Sequence, residues 1–347
     1  MMAARGLFVH GGILVFAAIL AVRTWTYDAD KAPKHGETDL WQGTPSQVQM
    51  VRFESSVGTV TLEPRQDSYG SYFIGTVKKN AAPPQKKDDH TGAMESQPPE
   101  EKPSEEPKVA RFISTKDGED LISSIAPLRA MRVLGKVSDA QKADFGLDKE
   151  SGKLFVRMGG TDRSLIFGGT TPGGSDYYVK DVASGTAYVV AGNILRDFTS
   201  ADTRLVEHKL HAFEDTAVKR VKITSGTASR ELVRSTDKKD AWTKPSAPAD
   251  KDETATNWMS KVDRLRTTSF VGETLSPPPA PADQILKIEY FDERKPLGYI
   301  ELVRRYGPGA DDKTEYVART EHTRWYATVI RSAAEQIDQD SKSVVAP

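Results

Sequence analysis

Few residues in this chain are suited to chemistry by type and spacing. His208 and His211 stand three apart, a spacing that on a helix lets two imidazoles share a metal. A third ligand at a sensible distance is lacking, because His35, His90 and His322 fall in unrelated segments, so no metal site is expected. The richest glycine run, Gly168-Gly169-Thr170-Thr171-Pro172-Gly173-Gly174-Ser175, offers backbone N–H groups that could cradle a phosphate. It lacks the Gly-Lys-Ser/Thr ending of a P-loop and precedes a strand, so it reads as a hairpin loop. There is no Gly-x-Ser-x-Gly and no cysteine, hence no signature of a serine or thiol nucleophile. Asp88-Asp89 and Asp311-Asp312 lie in polar stretches where solvation explains them, and a catalytic carboxylate pair needs a shaped cleft. No catalytic residue, cofactor or metal is assigned, and a non-enzymatic protein is expected. The mixture best suited to recognition is Arg304, Arg305, Arg319 and Arg324 among Tyr306, Tyr316, Trp325 and Tyr326. Arginine and aromatic residues are the usual anchors of interfaces, so Arg304, Arg305, Tyr316, Arg319, Arg324 and Trp325 form a candidate interaction face. Strand alternation, with aromatics inward and arginines outward, explains the same pattern.

The elements that must position these groups begin at the N-terminus. Leu7 to Val22 carries no Lys, Arg, Asp or Glu and is flanked by Arg5 and Arg23. As a helix it would reach about 24 Å, short of a ~30 Å hydrocarbon core unless Trp25, Tyr27 and a snorkelling Arg23 extend it. Leu7, Phe8, Ile13, Leu14, Phe16, Ile19, Leu20 and Trp25 are the expected anchor residues of a single-pass helix. A cleavable signal peptide is the competing reading, and either one exports everything after residue 28. The expected location is the bacterial cytoplasmic membrane, with the bulk of the chain outside the cytoplasm. With 48 Lys+Arg against 49 Asp+Glu, the net charge of −1 gives no footprint for nucleic acid.

Past a polar linker the sequence repeats itself. One register pairs Val51 with Val221, Phe53 with Ile223, Leu62 with Leu232 and Tyr72 with Trp242, and predicts a β-hairpin followed by an aromatic that closes its apolar face. A second pairs Leu121 with Trp258, Ile125 with Val262, Leu128 with Leu265 and Gly135 with Gly272, at the spacing of one helix face. Asp250 with Glu253 reads as a capping box on the second helix, and Pro127 is expected to kink or restart the first. The excess in the first copy is assigned to Lys79–Lys108, whose Pro, Lys and Glu content cannot offset its ordering entropy; it reads as a disordered insert. Short strands follow each helix, over 154–156, 165–167, 177–179 and 187–190, then 285–290, 299–303, 316–318 and 326–330. Leu195 to Phe213 joins the halves, and Ser332 to Asp340 closes the chain as a short helix.

The expected fold is α+β, with two tandem related modules of antiparallel strands and packed helices after the transmembrane helix. The expected divisions are 1–27 anchor, 28–47 linker, 48–210 first module, 211–340 second module and 341–347 tail.

Phe145-Gly146-Leu147-Asp148, Lys153-Leu154, Leu165 to Gly168, Tyr177-Tyr178-Val179 and Leu195-Arg196-Asp197 together resemble the family catalogued as domain of unknown function 4340. The likeness covers roughly residues 5 to 330, with the Pro-rich insert as the main departure. The family has no assigned activity. The resemblance implies a single-pass envelope protein encoded beside permease and auxiliary components of ABC transporters similar to the gliding-motility type. It carries no catalytic residue across. The expected function is an accessory or adaptor subunit whose partners are permease or auxiliary membrane subunits, with an apolar or Arg/aromatic patch exposed on one sheet. The alternative is a glycan- or lipid-binding module, which requires a concave pocket between the repeats. A hydrolase ranks third and requires carboxylates or histidines converging in such a pocket.

Overall fold

The computed structural model describes residues 37–80, 108–238, 240–306 and 314–345. The anchor segment Leu7 to Val22 and residues 81–107 of the insert lie outside them. Among the described residues no helix is long and apolar enough to cross a membrane.

The first half runs β1 (Thr38–Trp41), β2 (Val48–Ser55), β3 (Gly58–Asp67), β4 (Gly70–Lys79), β5 (Val109–Ser114), α1 (Lys116–Ile125), β6 (Leu128–Ala130), β7 (Arg132–Lys136), α2 (Asp139–Asp144), β8 (Gly152–Met158), β9 (Thr161–Thr170), β10 (Asp176–Asp181), β11 (Thr186–Ala191), α3 (Asn193–Thr199) and α4 (Ala201–Arg204). The second runs β12 (Arg220–Ser225), β13 (Ala228–Arg234), β14 (Trp242–Thr243), α5 (Glu253–Val262), β15 (Thr267–Gly272), β16 (Gln284–Phe291), β17 (Pro296–Tyr306), β18 (Thr314–Thr320), β19 (Tyr326–Val329) and α6 (Arg331–Val345).

Two large antiparallel sheets result. Their orders are β5-β4-β3-β2-β8-β9-β10-β11-β7 and β14-β13-β12-β16-β17-β18-β19-β15. Strand for strand the second repeats the first, except that the first has β5 as an additional edge. The hairpins arise from alternation. In β2, Val51 and Phe53 are buried while Arg52 and Glu54 face outward, and in β12 Val221 and Ile223 do the same. The helices cover the apolar faces. Leu121, Ile122 and Ile125 of α1 join the core of the first sheet, and Ala255, Trp258, Met259 and Val262 of α5 that of the second. Gly135 and Gly272, matched in the sequence, both have positive φ, 83° and 151°, on equivalent edge strands, where a side chain would strain the backbone.

The motif residues around Phe145 form a turn laid on β9. Gly169 N donates to Phe145 O at 2.8 Å, Phe145 stacks on Tyr178 at 4.5 Å, and Leu147 is buried. A Cβ on Gly146, whose φ is 63°, would stand 2.8 Å from Gly169 N. Glycine is therefore required there.

Several local expectations are corrected. The helix predicted to kink at Pro127 ends at Ile125, and Leu128 belongs to β6, which pairs with β1. Proline lacks the N–H that would continue the helix. The cap of α5 is Asp252, whose carboxylate accepts Ala255 N at 2.9 Å, in place of an Asp250–Glu253 box. Tyr72 lies on the outer face of a third strand, β4, and Phe73 turns inward instead. Part of the expected linker is ordered, because Trp41 is buried and donates its indole N–H to Ile125 O at 2.7 Å. The closing helix runs to Val345, into the expected tail, with Val344 and Val345 buried. The insert departs from paired strands. β4 and β5 are in register from Phe73↔Ser114 to Lys78↔Val109, and Lys79 N donates to Lys108 O at 3.0 Å.

Candidate functional site

The chain leaves α4 at Leu205 and crosses to the second sheet through a connector that carries one 3-10 turn, Asp215–Ala217. It is laid between facing sheet edges. Glu207 N donates to Ile113 O of β5 at 2.9 Å, and Thr267 of β15 donates its N–H to His208 O at 3.2 Å and its hydroxyl to Glu207 O at 2.7 Å. Leu210 is buried in the second core and fixes the far end. These bonds place the Glu207 side chain where the halves meet. It accepts the hydroxyl of Thr115, the N-cap residue of α1, the N–H of Lys209 at 2.8 Å, and His322 Nε2 at 3.1 Å. Burial pushes this carboxyl up, but the bonds from His322 and Thr115 outweigh it and hold it at about 2.

A second imidazole–carboxylate pair stands beside the first. His211 Nδ1 is 2.9 Å from Glu321 Oε1, and the other Glu321 oxygen accepts Tyr299 N at 2.8 Å. Gly298 makes room for this carboxylate, since a Cβ there would fall 2.3 Å from Glu321 Oε2. The His211 ring stacks on Phe213 at 4.5 Å and meets Tyr290 edge-on at 4.7 Å. Tyr290 is only 3% exposed, and its phenol oxygen has no hydrogen-bond partner among the described residues. Burial raises the pKa of this phenol well above its ordinary value, so it stays protonated.

Thr115, Glu207, His322, His211, Phe213 and Tyr290 line a cleft of about 480 Å³ bounded by the N-terminal end of α1, the connector and the second sheet. That volume is within the usual range for small-molecule sites. Its mouth is charged, with Lys116, Asp117, Lys209, Glu214, Asp215, Arg234, Asp263 and Arg266 on the wall. Arg234 lies over the Trp242 ring at 4.2 Å and reaches the carbonyls of Val218 and Asp215. Arg266 is turned to the carbonyls of Asp263 and Leu265. Asp263 caps the C-terminal end of α5, where the helix dipole opposes negative charge, and its carboxylate has no hydrogen bond or ion pair among the described residues. Asp263 is exposed to solvent, but the crowded cleft wall still weakens its hydration, and this desolvation, followed by the charge of Asp215, raises its pKa to about 6. Asp117 is raised in the same way, by burial and by Glu207.

The residues singled out in the sequence are distributed differently. His208 and His211 lie in the connector and not on a helix; His208 Nδ1 is 3.0 Å from Thr267 O while His211 turns to Glu321. Among the described residues no three ligating side chains converge as a metal site. The Arg/aromatic set divides between the two faces of the second sheet and the junction of the halves. Arg304 and Tyr316 both reach Asp338 and so hold α6 to its sheet. Arg305 pairs with Glu315 across the strands, and Arg319 pairs with Glu301 at 3.1 Å and lies over Tyr326. Arg324 bridges the halves. It forks onto Asp67 at 2.9 and 3.0 Å, lies over Tyr72 at 4.4 Å, and adopts a left-handed φ of 57°. Trp325 is buried under Arg111 of β5 and against Phe270. Tyr316 and Trp325 therefore present no exposed ring.

Glu207, Asp215, Asp263, Tyr290 and Glu321 were not singled out in the sequence. The dipeptides Glu207-His208 and Glu321-His322 are a faint trace, each supplying a partner to the other segment: Glu207 to His322, and Glu321 to His211. No spacing rule connects residues more than a hundred positions apart.

No curated protein and no solved structure is matched by this chain. Residues 115–287, from the N-cap of α1 through the connector into β16, match the model of a family described as a domain of unknown function (DUF4340).

Proposed function

We propose that the protein is a non-enzymatic binding module that takes a segment of an envelope glycan in the cleft between its two halves. The observation that carries this reading is the cleft itself, about 480 Å³, with aromatic rings on its floor and charged groups at its mouth. A sugar offers both hydroxyls and an apolar ring face, and matches such a wall. An acyl chain would leave the carboxylates of Asp117, Asp215 and Asp263 desolvated without partners, which is costly. The two histidines of the cleft are each engaged by a carboxylate: His322 by Glu207, which also accepts the Thr115 hydroxyl, and His211 by Glu321, which also accepts Tyr299 N. That arrangement favours holding a ligand over transferring a proton.

The test is calorimetric titration of the full-length protein in detergent micelles with short oligosaccharides of β-1,4-linked glucosamine and N-acetylglucosamine, beside Phe213→Ala. Saturable binding that weakens at least fivefold in the variant supports the reading. Absence of binding to either oligomer overturns it, and so does cleavage of the bound sugar, which would favour a hydrolase.

A second reading is kept for the apolar run Leu7 to Val22 and for the resemblance of the motifs around Phe145 to a transporter-associated family. In it the module is anchored by that run, lies outside the cytoplasm, and serves as accessory subunit to the permease or auxiliary subunits of an ABC-type system. Crosslinking of the full-length protein in its native membranes tests it. Recovery of permease subunits, lost when Leu7 to Val22 is replaced by a cleavable signal, supports it; recovery of none overturns it.

A further inference from the structure

We infer that His211, held by Glu321, is the side chain that grips a sugar hydroxyl in the cleft, through its Nε2 atom. The inference deepens the glycan reading and rests on it.

The first half of the chain fills the corresponding place without an imidazole–carboxylate pair. The register that matches Val51 with Val221 also matches Trp41 with His211. The structure keeps that register along the whole approach to each sheet. Thr38 stands beside Ala130 as His208 stands beside Thr267, and a 3-10 turn precedes the first long strand of each half, Pro45–Gln47 and Asp215–Ala217. In the first half the Trp41 indole is buried at the end of α1, where it donates to Ile125 O, with Arg163 over its ring at 5.9 Å. In the second half, strand pairing puts Gly298 at the place of Arg163 and Tyr290 at that of Val156, while the register puts Phe213 at that of Gly43. These changes all bear on His211. Gly298 leaves room for the Glu321 carboxylate, Phe213 stacks on the imidazole, and Tyr290 meets it edge-on. Because the first half reaches the same strand order with an indole there, the fold does not require the His211–Glu321 pair. Taking such a pair partly out of water is costly where apolar packing is not, and a ligand for the imidazole accounts for its presence.

The pairing also decides which ring atom is left for that ligand. Glu321 accepts Tyr299 N with one oxygen and faces His211 Nδ1 with the other, at 2.9 Å. A carboxylate only accepts, so Nδ1 carries the proton and Nε2 is the remaining position of the ring. Nε2 has no hydrogen-bond partner among the described residues. It is nevertheless not sealed off as the Tyr290 oxygen is, and the His211 side chain, on the cleft wall, keeps 17% of its surface open. A hydroxyl both donates and accepts, and so matches Nε2 in either charge state of the ring. A sugar supplies that hydroxyl, whereas an acyl chain supplies none.

The experiment sets His211→Asn against His211→Gln in the full-length protein in detergent micelles. Calorimetry uses whichever tetramer, of N-acetylglucosamine or of glucosamine, binds the wild type, and each variant is also melted. Asn keeps an N–H near the position of Nδ1 for Glu321 but has nothing at Nε2, while Gln places an amide near Nε2 and gives up the Glu321 bond. His211→Asn is therefore expected to melt within a few degrees of the wild type and to bind about tenfold more weakly, the worth of one hydrogen bond. His211→Gln is expected to melt lower and yet to bind within about fivefold of the wild type. A merely structural His211 gives the opposite order, with affinity following stability, and that result overturns the inference while leaving glycan binding standing. Should His211→Asn fail to fold, His211→Gln decides alone: affinity within about fivefold supports the inference and weaker binding overturns it. Binding of neither tetramer to the wild type overturns the glycan reading and this inference with it.

Discussion

Replacing Glu207 by Gln tests the junction between the halves most directly. In the folded protein the Glu207 carboxyl titrates at about 2 against an ordinary value of 4.5, because its bonds from His322 and Thr115 favour the anion more than burial disfavours it. Each pH unit of such a gap is worth ~1.36 kcal/mol, so ionised Glu207 stabilises the fold by on the order of 3 kcal/mol at neutral pH. The sign follows from the lowered pKa. The contribution is complete above the unfolded pKa, near pH 5, and is lost as the pH falls through 4.5 toward 2. Lys116, Asp117, Lys209 and His322 surround the group, so the absolute curve contains other titrations, and the informative quantity is wild type minus Glu207→Gln. Urea unfolding at pH 7, 4.5, 3 and 2 is expected to give a difference of about 2–3 kcal/mol at neutral pH that shrinks toward zero at pH 2. A difference constant with pH would refute the electrostatic account and leave only a packing or hydrogen-bond effect.

Three other outcomes are expected. Arg324→Met removes the fork onto Asp67 and strands that carboxylate, whose pKa is lowered first by the Arg324 bond; a loss of about 1–2 kcal/mol in urea unfolding is expected, and Asp67→Asn in the Met background should add little. Gly146→Ala forces a side chain into a left-handed position against Gly169 N, and should lower stability by about 1–3 kcal/mol, read as a fall in melting temperature. Replacing residues 81–107 by a four-residue Gly/Asn turn should leave the circular dichroism spectrum of the folded protein intact. It should raise stability by up to about 1.5 kcal/mol, because the paired ends of β4 and β5 make a shorter loop cheaper to close. Loss of folding would mean that these residues contribute to the core.

By itself the sequence determined the repeating local elements. Alternation at Val51 and Phe53 and again at Val221 and Ile223 gives strands, the three-and-four spacing of Leu121 and Ile125 and of Trp258 and Val262 gives helices, and these signals are local because side-chain direction follows backbone period. The match of registers between the copies foreshadowed two sheets of the same order. Tertiary structure alone decided where charge meets charge. Arg324 reads in the sequence as a surface arginine, yet Asp67, 257 positions away, holds it at the junction. Trp325 belongs beneath Arg111 for the same reason. The cleft is the extreme case, since Glu207 and His322 come from opposite halves and Tyr290 and Asp263 sit at the end of one strand and one helix that only packing brings together. An ion pair or an unpartnered phenol depends on distance and desolvation, and neither is a property of sequence separation. The same two repeats that are legible as strings of apolar residues therefore enclose a site that no string displays.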